Sequence, residues 1–93
     1  IAMIPETGEL QMDNITDETH LVMKNLQAIL KEAGMDFSHV LKTTIFLTDM
    51  NQFAQVNEVY GSYFTKDFPA RETVQVSALP KFVNVEISMI ASK

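Results

Sequence analysis

A chain of 93 residues fits one domain and buries only roughly 60–65% of its surface alone, so stability gained from oligomers is expected. Apolar residues make up an ordinary 46%, while a net charge of −5 with no basic run excludes the cationic footprint that a nucleic-acid partner needs. The absence of cysteine removes disulfides, thiolate chemistry and cysteine metal sites, and there is no apolar run long enough to span a membrane. No membrane partner is expected, and a reducing, cytoplasmic setting is.

Ile1-Ala2-Met3-Ile4 reads as the middle of a strand. Pro5-Glu6-Thr7-Gly8-Glu9 is turn chemistry, and Leu10-Gln11-Met12 continues as a short second strand. A helix starts within Asp13–Glu18: Asn14 or Thr16 can cap it, and Asp17 and Glu18 fall in the first turn, where the helix dipole favours acids. Val22, Met23, Leu26, Ile29, Leu30 and Ala33 recur at helical spacing, with Lys24, Gln27, Lys31 and Glu32 largely opposite. Gly34 ends this helix in left-handed geometry.

Val40–Thr48 is a β-branched strand. Leu41, Thr43, Ile45 and Leu47 share one face, and Val40, Lys42, Thr44 and Phe46 the other. Apolar bulk on both sides predicts a central strand, covered by helices on one face and by a partner subunit on the other. Asp49 caps a second helix, with Gln52 completing a capping-box-like pair. Phe53, Val56, Tyr60, Tyr63 and Phe64 form its inward stripe, which Asn57 and Gly61 interrupt.

In Phe68-Pro69-Ala70-Arg71-Glu72-Thr73-Val74, Pro69 fixes its own φ and pushes Phe68 towards extended geometry. That delivers Arg71, the only arginine of the chain, at or near the start of a strand over 71–78. A planar, always-charged fork there suits bidentate capture of a carboxylate or phosphate; closure of a structural ion pair is the alternative. Val74, Val76 and Ala78 share one face of this strand, and Thr73, Gln75 and Ser77 the other. Leu79-Pro80-Lys81 turns into a strictly alternating last strand over 82–92. Val83, Val85, Ile87, Met89 and Ala91 share one face; Asn84, Glu86, Ser88 and Ser92, with Phe82 and Ile90, share the other. A mid-strand carboxylate such as Glu86 is either solvated or held at an interface or site. With Arg71 it makes an anion anchor and an acid/base group.

Asn57-x-x-Tyr60, Phe68-Pro69-Ala70-Arg71, Leu79-Pro80-Lys81 and Val85-Glu86-Ile87 together resemble the RidA (YjgF) family of enamine/imine deaminases, and Val40–Met50 resembles its central strand and the helix start after it. The resemblance spans the whole chain and is most specific at Pro-Ala-Arg with a glutamate fifteen positions on. It implies an α+β, chorismate-mutase-like fold: a single mixed sheet with two helices on one face. It also implies a homotrimer with sites in the clefts between subunits. Relatives carry a further strand, a tyrosine and a small-residue loop ahead of the first hairpin, so residues 1–93 are read as one domain lacking its N-terminal strand.

The activity implied is hydrolysis of short 2-imino or enamino acids to 2-keto acids and ammonia, with no cofactor. Arg71 would grip the substrate carboxylate, and Glu86 would hold the attacking water and shuttle a proton. Asn57 matches a position near the site, with hydrogen bonding to a loop carbonyl as the alternative. Thr73 stands where many relatives have a cysteine, with a backbone still able to contact ligand. Lys42 reads as a snorkelling surface lysine rather than a cleft residue. His20 and His39, the only histidines, lie in different segments, so no metal site is expected. The rival reading is a non-catalytic carboxylate-binding or protein-interaction module on the same fold.

Overall fold

A computed structural model describes residues 1–65 and 68–93. Helix α1 spans Ile15–Glu32, strand β1 Val40–Leu47, helix α2 Phe53–Gly61, strand β2 Ala70–Gln75 and strand β3 Val85–Ala91. Short 3₁₀ turns over Phe37–His39, Met50–Gln52 and Pro80–Phe82 link them. The three strands form one mixed sheet in the order β2-β1-β3, with β1–β2 parallel and β1–β3 antiparallel. The architecture is α+β, with both helices packed on one face of the sheet.

Asn14 caps α1: its Oδ1 accepts the Asp17 N–H at 2.8 Å, an arrangement that contributes about 1 kcal/mol. At the other end Gly34 has φ +73°, Gly34 N–H reaches Lys31 O at 2.9 Å and Met35 N–H reaches Leu30 O at 2.8 Å. This pair of bonds is the Schellman closure, and it needs a residue free to turn left-handed.

The core lies between helices and sheet. Val22, Met23 and Leu30 of α1 and Val56 and Tyr60 of α2 meet Ile45, Leu47, Val85 and Ile87 of the sheet. The last strand is shorter than the expected 82–92: β3 begins at Val85, because Phe82 lies in the 3₁₀ turn with φ 55°. Within β3, Val85 and Ile87 are buried whereas Ile90 is exposed, as alternation predicts. In α1 the apolar stripe is narrower than the spacing suggests. Ile29 is 65% exposed, while Glu18 and Thr19 are fully buried.

Several expectations need correction. The hairpin strands at 1–4 and 10–12 reduce to a single bridge, Met3 with Leu10. Two short segments pairing only with each other make a marginal ladder, and the Asn25 side-chain amide of α1 takes the Met3 carbonyl at 2.8 Å. At the start of β1, Val40 is buried and Leu41 is 59% exposed, the reverse of strict alternation. The ladder to β3 pairs Val40 with Ala91 and Lys42 with Ile90, so Leu41 is an extra, bulged residue that turns Val40 inward. Asp49 caps the 3₁₀ turn through Asn51 N–H at 2.9 Å and forms no box with Gln52. The capping box occurs instead at Asp36 and His39.

Two tertiary facts fix the site. Last strand β3 lies beside β1 and not beside β2, although only a short connection separates it from β2. Among the described residues no helix covers the second sheet face, which carries Lys42, Thr44, Phe46, Glu72, Val74, Glu86, Ser88 and Ile90 in register. Among the described residues no helix is long and apolar enough to cross a membrane.

Candidate active site

Arg71 is the second residue of β2 and pairs in register with Thr43 of β1. Its side chain therefore shares the helix-covered face with Thr43, Ile45 and Leu47, and it meets α2. Phe53, Asn57 and Tyr60 of that helix are spaced i, i+4, i+7 and so line one face. The Arg71 Nη1 donates to Asn57 Oδ1. Its guanidinium carbon stands 5.5 Å from the Phe53 ring centre and 5.7 Å from that of Tyr60. Stacking on two rings and a hydrogen bond to an amide orient the fork without neutralising it. Among the described residues, no carboxylate forms an ion pair with it.

Arg71 stands between two hollows. One, of about 500 Å³, is lined by Asn57, Tyr60, Gly61, Phe68, Pro69 and Arg71. The other, of about 410 Å³, is lined by Met50, Phe53, Arg71 and Thr73. Pro69 and Phe68 line the first of these hollows, and Phe68 is 61% exposed. A positively charged fork flanked by aromatic walls suits a small anion with an apolar substituent.

The Tyr60 hydroxyl donates to Thr43 Oγ1 at 3.0 Å beneath the arginine. Burial pushes the Tyr60 phenol above its usual range, partly offset by that hydrogen bond and by the nearby Arg71 charge. Tyr60 thus stays a neutral prop for the guanidinium. Thr73 pairs in register with Ile45, and its Oγ1 is buried without a hydrogen-bond partner among the described residues.

Glu86 sits elsewhere. It pairs with Phe46 across β1–β3 and faces the uncovered side of the sheet, half-buried. The fold thus brings Arg71, Asn57 and Thr73 together and leaves Glu86 apart from them. Glu72 also faces the uncovered side, 3.4 Å from Lys42 Nζ and 3.3 Å from Thr44 Oγ1, which ties Lys42 to a cross-strand ion pair. His20 Nδ1 bonds the Tyr63 hydroxyl at 2.9 Å and His39 Nδ1 accepts the Asp36 N–H at 3.1 Å. Among the described residues no group of three or more His, Cys, Asp or Glu could hold a metal ion.

Met50 and Phe53 also line the candidate site, Met50 without a signal in the sequence and Phe53 as a member of the inward stripe rather than as a site residue. The i, i+4, i+7 spacing of Phe53, Asn57 and Tyr60 was the available signal. It places Asn57 within the aromatic stripe rather than as an interruption of it.

Comparison with known proteins bears on this geometry. The family model described as Endoribonuclease L-PSP matches residues 1–93. Protein DfrA of Myxococcus xanthus is 54% identical over 91 residues, covering 98% of this chain and 70% of that protein. The human 2-iminobutanoate/2-iminopropanoate deaminase is 46% identical over 91 residues, covering 98% of this chain and 66% of that protein. Among solved structures, E. coli TdcF with bound serine superposes with a TM-score of 0.94 at 40% identity, covering 100% of this chain and 75% of that one. With a family match along its whole length and a shared fold, the chain belongs to the RidA (YjgF) family.

Proposed function

We propose that the protein is a deaminase that hydrolyses short-chain 2-imino or enamino acids, such as 2-iminobutanoate and 2-iminopropanoate, to 2-keto acids and ammonia. The observation that carries this reading is the state of Arg71: a guanidinium oriented by Asn57, Phe53 and Tyr60 and unpaired with any carboxylate of the described residues. Such a group can take a substrate carboxylate through two parallel hydrogen bonds and hold C2 in a fixed place. The human relative's name supports the same substrate class.

The chemistry needs little more. A protonated imine is already electrophilic. Water adds to C2, the carbinolamine loses ammonia, and the C=O bond replaces C=N. Glu86 takes the proton from the water as it adds and returns one to the departing nitrogen. Thr73 lines the wall beside the anchored carboxylate.

Glu86 reaches an arginine only if a second copy of the chain brings it there. The uncovered sheet face favours such an assembly: beside Glu86 it carries Val74, 43% exposed, and Ile90, 61% exposed. We infer a homotrimer with each site in a cleft between subunits. A net charge of −5 and seven basic residues argue against a ribonuclease reading.

A second reading, carboxylate binding without turnover, is favoured by the serine bound to TdcF. One assay separates the two. A dehydratase generates 2-iminobutanoate, semicarbazide traps it, and added protein competes. Suppressed trapping is the expected result. Undiminished trapping together with saturable binding of a 2-keto acid supports the binding module instead.

A further inference from the structure

Glu18 of α1 is fully buried. Its carboxylate binds one residue twice: Oε2 accepts the backbone N–H of Asn84 at 2.9 Å, and Oε1 accepts the Asn84 side-chain amide at 2.8 Å. The Asn84 carbonyl in turn accepts the Thr48 N–H at 3.2 Å, just past the end of β1. Asn84 is therefore held from the helix side and the strand side at once. It lies immediately before β3 and two residues before Glu86.

The chain reaches Asn84 out of an unfavourable turn. Lys81 and Phe82 have φ of 58° and 55°, a left-handed region that is costly for residues with a Cβ. Phe82 is 82% exposed, so its side chain does little to anchor the turn. Burying a carboxylate is costly too, unless it is well bonded. In return this arrangement supplies a fixed point of register. Side chains alternate along a strand, so a slip of one residue would carry Glu86 to the helix-covered face.

We propose that Glu18 is a positioning residue: through Asn84 it locks the entry of β3 and thereby sets where Glu86 is presented on the uncovered face. The catalytic half of this proposal rests on the deaminase reading, whereas the register lock does not. Glu18→Met removes both acceptors at similar volume. Glu18→Gln can keep two bonds, because the Asn84 amide can turn over and accept from Gln while the Gln oxygen accepts the backbone N–H.

The test measures kcat and KM for 2-iminobutanoate on the purified protein, together with backbone amide exchange. Glu18→Met is expected to lower kcat by about tenfold or more with KM within about twofold, and Glu18→Gln to recover most of that loss. Exchange should accelerate across residues 84–88 more than in α2. Wild-type kcat in Glu18→Met, or kcat and carboxylate binding lost in parallel, overturns the proposal. Should Glu18→Met fail to fold, Asn84→Ala takes its place. It keeps the backbone bond, and a fall of about threefold in kcat at unchanged KM is then expected. If the wild-type protein itself does not turn over the imine, the deaminase reading fails, and exchange alone decides the lock: accelerated exchange at 84–88 supports it and unchanged protection overturns it.

Discussion

Arg71 and Glu86 lie on opposite faces of one sheet. Arg71 is on β2, pairs with Thr43 and meets α2; Glu86 is on β3, pairs with Phe46 and faces away from the helices. Two strand spacings, about 10 Å, and three residues, again about 10 Å, separate their backbones across and along the sheet. One chain cannot close both on the same small substrate, so the two roles assigned to them require association.

Complementation tests that requirement. Arg71→Ala and Glu86→Gln subunits, each inactive alone, are co-refolded in equal amounts. If each site takes its arginine from one subunit and its glutamate from another, about a quarter of the sites regain both groups. Recovered deaminase activity near that fraction is expected. None at all would place both groups in one subunit's site or neither in any.

Arg71→Ala should lower kcat/KM by about 100-fold or more while leaving assembly intact by sedimentation. Arg71→Lys keeps the charge and loses the fork, so most of the defect should remain. Normal turnover in either variant would remove the carboxylate-anchor role.

Glu86→Gln keeps the shape and removes the proton acceptor. A fall of about 100-fold in kcat is expected, with binding of a 2-keto acid unchanged by calorimetry. Equal loss of both would make Glu86 a structural residue.

Thr73→Val tests the unpaired hydroxyl. Thr73 Oγ1 is buried without a partner among the described residues, and replacing it with a methyl group of similar shape should stabilise the fold by about 1 kcal/mol. Urea unfolding of the two proteins gives the difference, and a lower midpoint in the variant would mean that the hydroxyl is satisfied.

Stability should fall at alkaline pH. An unfolded tyrosine ionises near 10.0, and burial raises Tyr60 above that in the fold. The folded state thus holds its proton to higher pH than the unfolded state does. The associated stability is fully present below pH 10 and is lost as pH rises through the folded-state value. Urea midpoints at rising pH, compared between the wild type and Tyr60→Phe, check this: the alkaline decline should be shallower in the variant.

Much of this was legible in residue order. Within the stretch from Phe82 to Ser92, alternation over Val85–Ala91 told which side chains of β3 face the core, because period two is a property of the extended backbone itself. Asn14, Asp17 and Gly34 marked the ends of α1 because caps are local chemistry. Pro69 and the lone arginine after it marked the start of β2, where the proposed anchor stands. Family likeness joined these to an α+β fold and to the reaction proposed for it.

What residue order could not decide was pairing. The short link between β2 and β3 suggests neighbours, yet β3 lies beside β1, and that choice, with the register of each pair, put Arg71 and Glu86 on opposite faces. Nor did α1's pattern announce that Glu18 points inward to bind Asn84, or that Leu41 bulges and turns Val40 to the core. Periodicity reports which residues of one segment share a side. Which segment lies against it depends on contacts between residues far apart in the chain, and only the assembled core selects among them.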